Sequence, residues 1–144
     1  MNEPTRPEGL GPEWIPAPPP KAIYSCAISD LKPLIQLLVS DTTDFNALSV
    51  LSGDDGKAFS LLKAGSRVHL TFVTRHGGPL GPKIADLLLQ HPLKKLHTWR
   101  VGEDYEMSAY ETPCVENALF SICRSILTTA FDLAESETLR VKFY

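Results

Sequence analysis

Proline is distributed unevenly along this chain, and its distribution limits which residues can form a folded domain. Seven of the twelve prolines fall within the first 20 of the 144 residues. Proline fixes the backbone φ angle and has no N–H to donate, so such a stretch can form neither a helix nor the interior of a sheet. We therefore predict an extended, proline-rich arm over residues 1–20 and a single α+β domain over residues 21–144.

The first half of the predicted domain contains one clear strand and three short helical patterns. Alternating apolar residues predict a strand over residues 22–28, and a polar cap followed by helical spacing predicts a helix over residues 30–39. Apolar residues three apart indicate a second short helix over residues 44–51. A third is predicted over residues 57–64, ending at a glycine.

The second half reads as strands and helices in alternation. Strict alternation predicts a strand over residues 67–75, and a proline at the first helical position predicts a helix over residues 82–90. A hairpin is expected from strands at 95–101 and 105–111. A terminal strand follows over residues 139–144 and could form an open edge of the sheet.

A long amphipathic helix is the strongest helical pattern in the chain. Thr112 can cap it and Pro113 can occupy its first position, so we predict a helix over residues 113–134. Apolar residues recur there at intervals of three and four, forming one wide stripe. The expected fold class is α+β, with about five mostly antiparallel strands and this long helix from the C-terminal half packed on the sheet.

Basic residues are concentrated in the middle of the chain. The overall net charge is −3, yet residues 57–100 carry eight basic residues against one acid, a net charge of +7. The flanking segments 1–56 and 101–144 each carry a net charge of −5. If the central basic side chains share a face, that face would bind an anionic membrane surface or RNA; if the fold interleaves the segments, each charge would instead find a neighbour. The candidate anion-binding residues are Lys57, Lys63, Arg67, Arg75, Lys83, Lys94, Lys95 and Arg100.

No residues form a recognised catalytic or metal-binding motif. The three cysteines are not spaced as a C-x-x-C pair, and the four histidines include no i, i+4 pair. The glycine-rich loop at residues 77–81 lacks the spacing of a phosphate-binding P-loop. We therefore expect no catalytic residues, no metal and no cofactor. The enzymatic alternative is a nucleophilic Cys114 in the first turn of the long helix, activated by the helix dipole.

The proline-rich arm contains the residues expected to mediate association with other molecules. Its two large apolar residues could dock on a neighbouring copy of the chain, giving a homo-oligomer, and its prolines could bind a proline-recognition domain. The candidate residues are Trp14, Ile15, Pro18, Pro19 and Pro20. An arm that serves only as a spacer, on a monomeric protein, is the alternative.

The order of elements resembles the matrix proteins of negative-strand RNA viruses, of the rhabdovirus and bornavirus types. The resemblance consists of a proline-rich arm, an early strand–helix pair, a central basic strand and a late amphipathic helix. Pro18-Pro19-Pro20 followed by Tyr24 is similar to the proline-rich late motif of that family. The resemblance implies a structural virion protein that self-associates under a membrane and links that membrane to a nucleocapsid. The competing prediction is a small intracellular adaptor or effector whose arm binds a partner.

The N-terminal residues and the apolar runs predict where the protein resides. The first residues contain no apolar segment of the kind found in secretory signals, so we expect an intracellular protein. No apolar run approaches the roughly 20 residues of a membrane-spanning helix. The resemblance further implies the host cytoplasm, the inner face of a membrane, or the virion.

Overall fold

The structure is a computed structural model that describes residues 19–52, 57–91 and 93–144. The predicted arm falls almost wholly outside these residues, so the predictions for Trp14, Ile15 and Pro18 lie outside the described part of the chain. Its last two residues are described: Pro19 is exposed and Pro20 is half-buried. They lead directly into the first strand.

The described chain forms seven strands and three short helices. The strands are β1 (Ala22–Ala27), β2 (Ala47–Ser52), β3 (Lys57–Ala64), β4 (Arg67–Arg75), β5 (Lys94–Val101), β6 (Tyr105–Pro113) and β7 (Thr138–Phe143). The helices are α1 (Leu31–Val39), α2 (Leu80–Leu88) and α3 (Glu116–Ser125). A 3-10 turn (Ile28–Asp30) precedes α1, and a π-helical turn (Ile126–Ala130) continues α3.

All seven strands belong to one antiparallel sheet with the order β1-β7-β2-β3-β4-β6-β5. The last strand along the chain therefore lies inside the sheet, where β7 pairs with β1 on one side and with β2 on the other. The prediction that residues 139–144 form an open edge is wrong. The two edge strands of the sheet are β1 and β5.

The hydrophobic core lies on one face of the sheet, under the three helices. Alternate residues of each central strand are buried there, as in Val68, Leu70 and Phe72 of β4. The helices contribute their apolar faces to the same cluster, including Ile35 of α1 and Ile122 of α3. Because strand side chains alternate between faces, the opposite face of the sheet carries the remaining residues of every strand. None of the helices in the described ranges is long and apolar enough to cross a bilayer.

The predicted strand count is too low because two predicted helices are strands. Residues 44–51 and 57–64 fall on β2 and β3, which pair with each other in register from Ala47–Leu62 to Ser52–Lys57. A short apolar run fits both periodicities, and pairing with distant strands decides between them. The pairing of β3 with β4 places Gly65, with a φ of 65°, in the turn between them, where a left-handed backbone favours glycine.

The prediction of one long helix over residues 113–134 is also wrong. Thr112 and Pro113 do not start a helix, because β6 continues through both and pairs with Val68 and Arg67 of β4. Pro113 is the last residue of its strand, a position where a missing N–H costs little. The helix begins only at Glu116 and changes to the π-helical turn after ten residues. The predicted apolar stripe nevertheless faces the core along both elements, with Leu119, Ile122, Cys123, Ile126, Leu127, Ala130 and Phe131 buried.

The buried stripe of α3 predicts a large loss of stability on truncation. Ile122 is 1% exposed, so Ile122→Ala removes apolar contacts and leaves a cavity, at a cost of about 2–5 kcal/mol. Leu89, just after α2, is 84% exposed, and Leu89→Ala is expected to change stability by less than about 0.5 kcal/mol. Urea unfolding of both variants measures the difference, and equal stabilities would contradict the packing of α3.

The buried hydroxyl of Thr112 predicts a stabilising substitution. Its Oγ1 has no hydrogen-bond partner among the described residues, and the residue is fully buried. An unpaired buried hydroxyl costs about 1–3 kcal/mol, so the nearly isosteric Thr112→Val should raise the unfolding free energy by about 1 kcal/mol or more. Thr71→Val, half-exposed on the other face of β4, serves as the control for the change in strand propensity. A lower unfolding midpoint in Thr112→Val than in the original protein would show that the hydroxyl is paired.

Candidate nucleic-acid interface

The eight predicted anion-binding residues do not share one face. Arg67, Arg75 and Lys94 point away from the helices, into what we call the open face: the strand side chains opposite the hydrophobic core. Four others lie on the helix side: Lys63, Lys83, Lys95 and Arg100. Lys57 lies in β3, but its side chain is outside the described part of the structure.

The cations of the helix side are spread out and partly engaged. Lys63 reaches Asp41 at 3.8 Å between Nζ and Oδ1, after the end of α1. Arg100 donates to the carbonyl oxygen of Glu103 in the adjacent turn. Lys83 is exposed on α2 and Lys95 lies near the sheet edge. They form no continuous basic surface.

Two further cations join the open face from a part of the chain that the charge segregation did not highlight. Arg140 and Lys142 belong to β7, where they alternate with the buried Leu139, Val141 and Phe143. The alternation was visible in the sequence. The alternation does not show that β7 lies inside the sheet. That position brings these two side chains onto the same face as Arg67 and Arg75.

Aromatic side chains lie on the same face at its β6–β5 end, next to Arg75, whereas Arg140 and Lys142 lie at least four strands away across the sheet. His97 and Trp99 of β5 stack with ring centroids 4.3 Å apart and planes 29° apart. Tyr105 of β6 is 47% exposed and pairs in register with Arg75 on one side and Val101 on the other. We call His97, Trp99 and Tyr105 the aromatic strip.

The aromatic strip continues into an apolar surface at the same end of the sheet. In the next register row, Trp99 pairs with Met107, and Met107 pairs with Val73, which is 43% exposed. No described segment covers this row. The result is a surface at the β6–β5 end of the open face in which rings and apolar side chains lie beside Arg75.

One carboxylate lies on the open face, and it is neutralised. Glu111 accepts a hydrogen bond from Nε of Arg67 at 3.1 Å, and its other oxygen lies 3.3 Å from Nε2 of His69. The hydrogen bond from Arg67 holds the pKa of Glu111 below its usual value. His69 acts in the same direction, and partial desolvation opposes both. Glu111 therefore stays ionised and offsets only one of the five cations.

The two layers of the molecule carry opposite charge. On the open face the described side chains of the seven strands include five lysines and arginines against Glu111. The segments that carry the helices, residues 28–46, 76–91 and 114–137, hold eight acids against three lysines and arginines. The described helix-side strand residues add Glu106 against Lys63, Lys95 and Arg100, which leaves this layer negative. A protein with a net charge of −3 therefore presents a positive sheet face and a negative helical face.

The structure changes the position of Cys114, the nucleophile of the enzymatic alternative. Cys114 lies between β6 and α3, not within the first turn of a helix as predicted. Burial raises the pKa of Cys123 to about 12, so its thiol stays protonated. Among the described residues, no three His, Cys, Asp or Glu side chains come together as metal ligands.

The ion pair of Glu111 predicts an acid-dependent loss of stability. Its pKa in the folded state is lowered from the usual 4.5, so the stability it contributes is present above that pH and is lost as the pH falls through the folded-state value. Arg67→Ala should raise the pKa of Glu111 towards the usual value, as read from its side-chain carbon shift in an NMR titration. Arg75→Ala, on the same strand but without this contact, should leave it unchanged. An unchanged Glu111 titration in Arg67→Ala would contradict the ion pair.

Comparison of the chain with protein-family models, with curated proteins and with solved structures gave no match.

Proposed function

We propose that this protein is a non-enzymatic RNA-binding protein that holds single-stranded RNA on the open face of its sheet. The observation that carries the proposal is a combination of described side chains on the sheet face opposite the helices: five cations, one neutralised carboxylate and an aromatic strip. Cations supply sequence-independent attraction to phosphates. Exposed rings supply stacking surfaces for unpaired bases.

The geometry favours an unpaired strand over a duplex. Bases stack on aromatic side chains only when they are splayed out of a helix, and a flat sheet lets several bases lie side by side. Neighbouring strands are about 4.8 Å apart, so the two partners of a register pair lie within reach of one nucleotide. Tyr105 and Arg75 form such a pair, joining a stacking surface to a cation.

The geometry also favours RNA over a membrane as the anionic partner. Exposed tryptophan and tyrosine also suit the headgroup level of a membrane. The stacked pair of His97 and Trp99, with planes 29° apart, presents ring faces of the kind on which unpaired bases stack, and this favours RNA. Membrane association, homo-oligomer formation and the role of a matrix protein remain predictions. The adaptor function through the proline-rich arm, residues 1–20, also remains a prediction.

Charge reversal on each face in turn distinguishes RNA binding by the open face from non-specific attraction of RNA to any cation of the protein. Arg75→Glu, Lys94→Glu and Arg140→Glu together should weaken binding of a labelled single-stranded RNA by well over tenfold. They should also flatten its salt dependence, by about one unit of slope for each phosphate that the protein no longer neutralises. Lys32→Glu, Lys83→Glu and Arg100→Glu together make the same change in net charge on the helix side. Fluorescence anisotropy should show that this matched triple variant keeps most of the affinity. Equal losses in both triple variants would reject the open face as the interface.

The aromatic strip provides a second, charge-neutral test. Trp99→Ala should weaken single-stranded RNA binding by roughly tenfold, because stacking contributes about 1–3 kcal/mol per base. Binding to vesicles rich in phosphatidylserine should not change. Leu62→Ala, an exposed apolar residue elsewhere on the open face, is the control. If Trp99→Ala binds RNA as the original protein does while the open-face triple variant loses vesicle binding, the partner is a membrane and the proposal is wrong.

A further inference from the structure

A cleft of about 430 Å³ lies on the helix side of the sheet, on the opposite face of β5 and β6 from the aromatic strip. Its walls are the start of α2 with the preceding loop, and its floor is formed by β4, β6 and β5. Two glycines keep the α2 wall close to the floor: a Cβ on Gly81 would lie 3.0 Å from Oγ1 of Thr74, and one on Gly78 would lie 3.2 Å from the carbonyl oxygen of Arg75. The volume is that of a small-molecule site.

The floor of the cleft changes from apolar to polar across the sheet. On β4 the helix-side residue Phe72 is buried, whereas its register partners on β6 and β5 are Ser108 and Thr98. The hydroxyls of Thr98 and Ser108 are 3.2 Å apart and form a hydrogen-bonded pair. The parallel rings of Phe72 and Tyr110, with centroids 5.7 Å apart, lie behind them. Hydroxyls of this kind both donate and accept, as a polyhydroxylated ligand requires.

An oriented carboxylate lies at one end of the cleft. One oxygen of Glu106 is hydrogen-bonded to Nδ1 of His76, which fixes the carboxylate and leaves its other oxygen available. In the sheet register Glu106 is opposite Thr74, whose side chain is 7% exposed and also lines the cleft. A fixed carboxylate beside a hydroxyl can accept hydrogen bonds from two vicinal hydroxyls of a ribose.

A single lysine lies at the other end of the cleft. Lys95 pairs in register with Tyr110, four residues along β6 from Glu106. Strand geometry puts the Cα atoms of Lys95 and Glu106 about 14 Å apart. When the two long side chains lean inwards, the remaining gap fits the distance between the vicinal hydroxyls and the phosphate of one nucleotide.

We propose that this cleft is a second binding site, which takes a ribonucleoside 5′-phosphate with its vicinal ribose hydroxyls on Glu106 and its phosphate on Lys95. The cleft and the open face are on opposite sides of β5, so this site does not depend on RNA binding by the open face. The same chemistry is present in a free nucleotide and at the 3′ end of an RNA strand, where the terminal ribose keeps both hydroxyls.

Calorimetric and NMR titration of the full chain with AMP tests the site. AMP should bind and shift the amide resonances of residues 95–98 and 106–108. The 2′-deoxy analogue should bind about tenfold more weakly, because one hydrogen bond to a charged acceptor is lost. Equal affinities for the two nucleotides, or shifts confined to the open face, would overturn the proposal.

Adjacent lysines on β5 supply a matched pair of variants. Lys95→Ala should reduce the affinity for AMP to that for adenosine, whereas Lys94→Ala, on the opposite face, should leave AMP binding unchanged. Glu106→Gln should remove the preference for AMP over its 2′-deoxy analogue, with circular dichroism confirming the fold. A Glu106→Gln variant that keeps the preference would place the ribose elsewhere and refute the assignment.

Competition by short RNAs identifies the natural source of the nucleotide. If an RNA with a free 3′-terminal ribose displaces AMP and the same RNA with a 3′-phosphate does not, the site takes strand ends. If neither displaces AMP, it takes a free nucleotide. The double variant Lys94→Glu with Arg140→Glu leaves out Arg75, which also lines the cleft, and should bind AMP normally. Failure of RNA binding and failure of this site therefore give different results.

Discussion

The insertion of β7 between β1 and β2 is the interaction on which the rest of the structure depends. Residues 139–143 pair with residues 22–26 on one side, and residues 139–143 pair with residues 48–52 on the other. Without β7 the first strand would have no neighbour in the sheet. The same strand supplies Leu139, Val141 and Phe143 to the core, all fully buried. Long-range pairing therefore joins the ends of the described chain into one cooperative unit.

The pleat of the sheet separates the functions of neighbouring residues. Because consecutive side chains point to opposite faces, the strands that bury apolar residues under the helices must carry their alternate residues elsewhere. On β7 those alternate residues are cations, and on β5 they include stacked rings. The acids are concentrated in the segments that carry the helices. Charges are segregated along the sequence and also between the two layers of the fold. The residues that group together in the fold differ from those that group together in the sequence.

Strict alternation was sufficient to predict β1, β4 and β7. The turn residues Gly102-Glu103-Asp104 predicted the β5–β6 hairpin, although β5 has a register shift between Lys95 and His97. Alternation failed for residues 44–51 and 57–64, where the apolar spacing also suits a helix and only pairing with distant strands selects β structure. Thr112 and Pro113 carry a typical helix-start signal, yet the register of β4 extends β6 through them. For the candidate site, charge alone grouped Lys94 with Lys95, which the pleat places on opposite faces. The position of Arg140 and Lys142 on the open face follows only from the strand order, which no local sequence pattern encodes.

The position of β7 also has a consequence for folding during synthesis. The β2 edge that will receive β7 is made almost ninety residues before its partner, so on the ribosome the ladder of β2 faces solvent while the chain between them is translated. An unpaired edge of this kind is a template for pairing with other chains. The nascent protein therefore passes through a stage in which a neighbouring nascent chain could donate its own β7. Translation at high local concentration of nascent chains is therefore a condition that favours misassembly of this fold by strand exchange.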